Sequence, residues 1–193
     1  MMRRYLYAWV ILLTMAVSDA MAQYGLPGMS SVEFGMDMVD GFYAGDRKDK
    51  TGYAFHLTAQ TYTKRGNKWT YGIEALKRNY SYRNGRIPLS QYTAEAGYAY
   101  NFYSSPGKRF FLSAGLSGVL GYEAVNKGRR LLWDGASLSD TESFLYGGAL
   151  TLEAETYLTD RLGFVLRLRE RILWGGASSL FHTAFGVGLR YML

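Results

Sequence analysis

The chain has no cysteine among its 193 residues, only three prolines and only two histidines. Without cysteine there are no disulfides, no thiolate-held metals and no lipid anchor of the kind attached to a cysteine just after a signal. Long apolar runs are scarce too. The one run, Tyr5 to Val17, is broken only by Thr14 and is short of the roughly 20 residues a spanning helix needs. With Arg3 and Arg4 before it and the small-x-small site Ala20-Met21-Ala22 after it, residues 1–22 read as a secretory signal peptide. Residues 23–193 are then expected to form a single exported domain. No later stretch is apolar enough to cross a membrane as a helix.

What is abundant is tyrosine (17), glycine (23) and aromatic residues in general (16%), within a chain that is 48% hydrophobic. Few ordinary soluble domains combine so much Tyr and Gly. The net charge is +6; Arg3, Arg4 and Asp19 contribute +1 of it, so +5 stays on the mature chain. These charges are scattered over turns and one short arginine cluster, which points to solvation before nucleic acid.

The mature sequence alternates with period two, the mark of strands with unlike faces. Val32, Phe34, Met36 and Met38 alternate with Glu33, Gly35 and Asp37. Tyr92, Ala94, Ala96, Tyr98, Tyr100 and Phe102 are set against Gln91, Thr93, Glu95, Gly97 and Asn101. Similar patterns around 53–60, 69–75, 110–121, 144–155, 162–171 and 181–191 complete eight strands. Residues 152–173 also fit an amphipathic helix, but a helix would put Arg169 opposite Arg167 and Arg171, so the strand is the better reading. Connections alternate in length. Short ones fall at 64–68, 104–108 and 159–161, and longer ones at 40–52, 79–88, 124–142 and 175–180. Short turns at one end and long loops at the other are the habit of outer-membrane barrels. The expected fold is all-β, an eight-stranded antiparallel up-and-down barrel of outer-membrane type.

Alternation alone does not separate a membrane barrel from an inverted, soluble one. The polar face is crowded with Gly, Ala, Ser and Thr, which suits a narrow lumen. The other face carries aliphatics in mid-strand and aromatics near strand ends, among them Trp69, Tyr71, Tyr100, Phe102, Phe110, Phe144, Tyr146, Trp174, Phe181 and Tyr191, as in the interfacial girdles of barrels in lipid. The last residues, Gly188 to Leu193, are similar to the terminal β-signal read by the barrel-assembly machinery, departing from it in a final Leu and in Gly186.

The inward charges are complementary. Glu74, Glu95, Glu153 and Glu155 stand against Arg167, Arg169, Arg171 and Arg190, and charges in a narrow lumen must pair. A structural, salt-bridged filling is the first reading and a selective pore the second. His56 and His182, both inward and placed near the loop end, with Ser178 and Ser179 close to His182, are the residues an outer-membrane lipid A hydrolase or acyltransferase would use. No serine stands in a recognisable nucleophile context, so no enzyme and no catalytic residue is expected. Arg129, Arg130 and Trp133, in the longest loop, are the candidate contact site for a partner. There is no phosphate loop, metal cluster or nucleic-acid motif, and no cofactor is expected.

Longer blocks carry a family resemblance. Leu26-Pro27-Gly28-Met29, Asp40-Gly41-Phe42-Tyr43, Thr61-Tyr62-Thr63-Lys64 with Gly66-Asn67-Lys68-Trp69, and Arg86-Ile87-Pro88 with Gln91-Tyr92-Thr93-Ala94-Glu95 are among them. So are Gly121-Tyr122-Glu123, Phe144 to Glu153, Arg169 to Gly175 and Phe181-His182-Thr183. Over nearly the whole mature chain it resembles the conjugative-transposon TraO family. The resemblance implies an outer-membrane component of the mating apparatus of an integrative conjugative element, with other transfer proteins and membrane lipid as partners. A role as a lipid A-modifying enzyme, or in adhesion or surface exclusion, is the alternative. Direct DNA binding is not expected, since an eight-stranded lumen is too narrow for a duplex.

Overall fold

A computed structural model describes residues 26–40, 51–82, 85–131, 135–137, 141–176 and 180–193. Eight strands run in chain order: β1 (Ser30–Val39), β2 (Gly52–Tyr62), β3 (Lys68–Tyr82), β4 (Gly85–Ser104), β5 (Phe110–Val125), β6 (Glu142–Tyr157), β7 (Leu162–Trp174) and β8 (Phe181–Met192). Each pairs antiparallel with the next, and β8 returns to β1, so the barrel is closed. Closure removes every sheet edge and satisfies the backbone from within.

The stagger can be followed along ladder partners. From Ser30 the path runs through Thr61, Trp69, Tyr98, Leu116, Leu150, Glu170 and Thr183. It re-enters the first strand where Asp40 N–H bonds Thr183 O, ten positions past its start. For eight strands that stagger corresponds to a tilt of about 40°.

Period-two alternation places the apolar side chains outside. Phe34 is 60% exposed, Leu116 70% and Leu150 54%, while Arg190 is fully buried. This inverts the ordinary partition of a soluble domain. Aromatic pairs lock neighbouring strands on the outer face: Phe34 stacks on Phe55 at 6.4 Å, Trp69 meets Tyr98 edge-on at 5.0 Å, and Tyr146 stacks on Trp174 at 6.1 Å. The segment open to a helical reading is strand on both sides of a turn at 158–161, and Arg167, Arg169 and Arg171 all point inward.

One expected loop is not a loop. Residues 79–88 continue the β3–β4 ladder from Asn79↔Pro88 to Tyr82↔Gly85, making a hairpin that rises past the start of β2. Pro88 is tolerated because the β5 ladder stops at Leu89↔Val125, so no strand on that side needs its missing N–H. At the opposite end the connections are short. Arg65 and Gly66 take left-handed conformations (φ 64° and 78°) to turn β2 into β3, and residues 105–109 and 158–161 join the later pairs.

Candidate functional site

The inner wall carries a continuous array of ion pairs, built in layers along the axis. At the turn end Tyr62, Phe111, Tyr157 and Met192 form a small apolar cluster against Met29. Tyr62 Oη turns inward and donates to Glu155 Oε1 at 3.1 Å. Above it Lys68 Nζ donates to Glu153 Oε2 at 2.6 Å and to Glu155 Oε2 at 3.3 Å. Arg190 bridges three carboxylates: its Nε reaches Glu33 Oε2 at 3.0 Å, its Nη2 reaches Glu153 Oε2 at 3.1 Å, and its Nη1 pairs with Glu155.

The middle layer is held by Glu33 and Asp37 from β1. Arg167 Nη2 donates to Glu33 Oε1 at 2.7 Å. His56 lies between the two carboxylates, with Nδ1 3.0 Å from Asp37 Oδ2 and Nε2 3.2 Å from Glu33 Oε1. Arg169 and Arg171 cross the lumen to the far wall. Arg169 Nη1 donates to Glu74 Oε2 at 3.1 Å and its Nη2 pairs with Glu95; Arg171 Nη1 pairs with Glu74. At the loop end Asp40 accepts from Arg78 Nη2 at 2.5 Å and lies 2.8 Å from His182 Nδ1. Burial alone would raise the Asp40 carboxyl, but the His182 hydrogen bond and the Arg78 charge hold it below the usual carboxylate range.

Glycine makes room for these side chains. A Cβ on Gly35 would lie 2.5 Å from the His56 ring, and one on Gly186 would run into the Asp37 carboxylate. The absence of a side chain at 186, unusual for a terminal β-signal, therefore has a steric cause. The lumen that remains is nearly full. A cavity of about 20 Å³ lined by Thr58, Glu95, Ser117, Glu153 and Arg167 has room for about one water.

The structure thus places Glu74, Glu95, Glu153, Glu155, Arg167, Arg169, Arg171 and Arg190 together in the lumen. Sequence reasoning left Glu33, Asp37, Lys68, Arg78 and Asp40 out of that group. Glu33 and Asp37 stood on the polar face of the first strand, which was the available signal. His56 is midway down β2 rather than near the loop end, and both of its nitrogens face carboxylates, so neither is turned toward a nucleophile. Arg129 and Arg130 are exposed after a 3-10 turn at Asn126–Gly128. Trp133, Ser178 and Ser179 lie outside the described residues. Among the described residues no group of His, Asp and Glu is arranged to hold a metal.

A closed eight-stranded barrel, apolar outside and filled inside by paired charges, is a barrel of the outer-membrane type. Residues 26–193 match the family described as conjugative transposon protein TraO, and the chain belongs to that family. No curated relative matches the chain. Among solved structures it is similar to the attachment invasion locus protein Ail of Yersinia pestis, in complex with the heparin analogue sucrose octasulfate. That match has 14% identity and a TM-score of 0.58 over 87% of this chain and 100% of that one. It is also similar to Neisserial surface protein A, with 13% identity and a TM-score of 0.59 over 84% and 95%. At such identities the likeness is one of fold.

Proposed function

We propose that the mature protein spans the bacterial outer membrane and serves there as a structural component of a conjugative DNA-transfer apparatus, acting through protein contacts. The observation that carries this reading is the pairing of a predominantly apolar belt with a plugged lumen, in a chain of the TraO family. A belt of exposed Phe, Leu, Ile and Tyr is costly in water and favourable in hydrocarbon. The lumen charges are spent on one another, so their role in this reading is to hold the barrel rigid. The rim then offers partners Arg129, Arg130 and Trp133 in the longest loop, and the β3–β4 hairpin.

This reading takes residues 1–22 as a cleaved signal and 23–193 as one barrel domain, with the short turns in the periplasm and the loops outside. It assigns no catalysis. The lipid A-enzyme alternative needs a histidine with one nitrogen on a carboxylate and the other on a nucleophile; both nitrogens of His56 face carboxylates, and Ser178 and Ser179, close to His182 in sequence, lie outside the described residues.

The test is electrophoresis of the outer-membrane fraction with and without boiling, joined to a transfer assay. A heat-dependent mobility shift, with transfer lowered by Arg129→Ala/Arg130→Ala while the shift persists, is the expected result. A soluble periplasmic protein without a shift would overturn the membrane reading. Full transfer from a deletion strain would overturn the apparatus role.

A further inference from the structure

On the outer wall, among the described residues, one charge is set well below the rim. Glu170 faces outward from β7 between Leu168 and Ile172, with Leu150 and Thr183 as its ladder partners. Of the other outward charges on described strands, Arg86 and Glu142 stand at the loop ends of theirs, and Lys77 pairs with Tyr53, the second residue of β2. Trp174, in the upper aromatic ring, is four residues further along β7 than Glu170. At about 3.3 Å per residue and a tilt of about 40°, the Glu170 backbone lies roughly 10 Å below that of Trp174 along the barrel axis.

Its hydrogen bonding is incomplete. Thr183 Oγ1 donates to Glu170 Oε2 at 2.5 Å, and Oε1 accepts nothing among the described residues. The contrast with the lumen is sharp, for there arginine, lysine or histidine side chains face Glu33, Asp37, Glu74, Glu153 and Glu155. Arg169 and Arg171 flank Glu170 in sequence but point to the other side of the sheet. An acidic group facing hydrocarbon is expensive, and such groups mark functional contacts. Membrane lipid supplies no cation at that depth.

Round the wall from Glu170, over β4 to β6, the outer face is hollowed. A groove of about 610 Å³ has Ala94, Ala96 and Gly118 in its floor and the stacked Tyr146 and Trp174 rings at its edge. Gly148, on the strand next to β7, also faces outward, and a Cβ there would meet Ser117 O at 3.4 Å. Small residues let a second backbone come close within a membrane, where packing and hydrogen bonds drive association. Among the described residues this face has no cation with which a second copy could answer Glu170 across a two-fold contact, and Lys77 lies across the barrel on β3.

We infer that the β6–β8 outer face around Glu170 docks a membrane-embedded segment of a different protein, one that presents a lysine or arginine to this carboxylate. The inference rests on the membrane reading above. It adds the location of the contact and the chemistry of the partner.

The experiment has two arms, each starting from a barrel whose heat-dependent mobility is intact. In the first, Glu170→Leu and Glu170→Gln are refolded alone into phosphatidylcholine vesicles and assayed for conjugative transfer in cells. Glu170→Leu is expected to unfold at an equal or higher urea concentration than wild type, since it removes a lipid-facing acid, while transfer falls at least tenfold. Glu170→Gln, which keeps the shape and loses the charge, is expected to lower transfer similarly. In the second arm p-benzoylphenylalanine replaces Leu168, or Ile73 on the far wall as a control. A photo-adduct from position 168 that needs the rest of the element, and that Glu170→Leu abolishes, is expected. Normal transfer by both variants, an adduct of the mass of two copies of this chain, or equal adducts from Ile73 would each overturn the proposal. A wild-type barrel with no heat-dependent shift would instead mark failure of the membrane reading.

Discussion

Glu33 on the first strand and Arg190 on the last are ladder neighbours across the seam that closes the barrel, and Arg190 Nε donates to Glu33 Oε2 at 3.0 Å. Both side chains are fully buried. The pair joins residues 157 positions apart in the chain. Removing one partner of a buried ion pair leaves the other charge uncompensated, at about 3–5 kcal/mol. Arg190→Met is therefore expected to cost that much in urea unfolding from vesicles. Glu33→Leu added to it should cost less than it does alone, because the pair is already broken, while Glu153, Glu155 and Arg167 still lack a partner. If the double variant is as weak as the sum of the singles, the seam pair is not the source of the cost.

Glycine at 186 is predicted to be a steric requirement. Gly186→Ala drives a methyl into the Asp37 carboxylate and should destabilise by roughly 1–3 kcal/mol, as overpacking does. Gly118→Ala has open space around the added carbon and serves as the matched control, expected within about 0.5 kcal/mol of wild type. Equal unfolding midpoints for the two variants would contradict the packing argument.

The β1–β8 seam should loosen in acid where Asp40 meets Thr183. The Asp40 carboxyl titrates lower in the folded protein than in the unfolded chain, so its stabilisation is complete above the ordinary aspartate pKa of about 3.9 and is lost as pH falls through the depressed folded value. Amide exchange at Thr183, whose N–H donates to Asp40 Oδ1 at 3.1 Å, is expected to speed up, relative to the intrinsic rate, below about pH 4. Asp40→Asn should flatten that dependence. A pH profile unchanged by the substitution would point to another group.

Trp69 and Trp174 are half-exposed on the outer wall at opposite ends of the barrel. In single-tryptophan variants both should be quenched by lipids brominated near the headgroup, and less by lipids brominated at the chain ends. Strong quenching by aqueous iodide at both positions would show that the belt is in water.

The strands were legible because their two faces meet different surroundings, which forces period-two alternation. Phe34 and Met36 outside, with Glu33 and Asp37 inside, show it within five residues. Pairing across the lumen was not legible, since the partners of Glu33 come from β2, β7 and β8 and no local pattern brings them together. Lys68 was hidden by the turn signal Gly66-Asn67, although an outward Trp69 implies an inward Lys68. The 79–88 hairpin was missed for a different reason. Above the belt a strand no longer needs an apolar outer face, so its ladder continues after the alternation has lapsed.

The β1–β8 seam also bears on manufacture. A chain lacking its last twelve residues would have two bare edges and would leave Glu33, Glu153 and Glu155 without Arg190, their shared cation. Neither defect can be repaired locally, because what is missing comes from the far end of the chain. A truncated copy therefore carries its own mark of incompleteness, legible to any periplasmic protease that cuts unpaired strands.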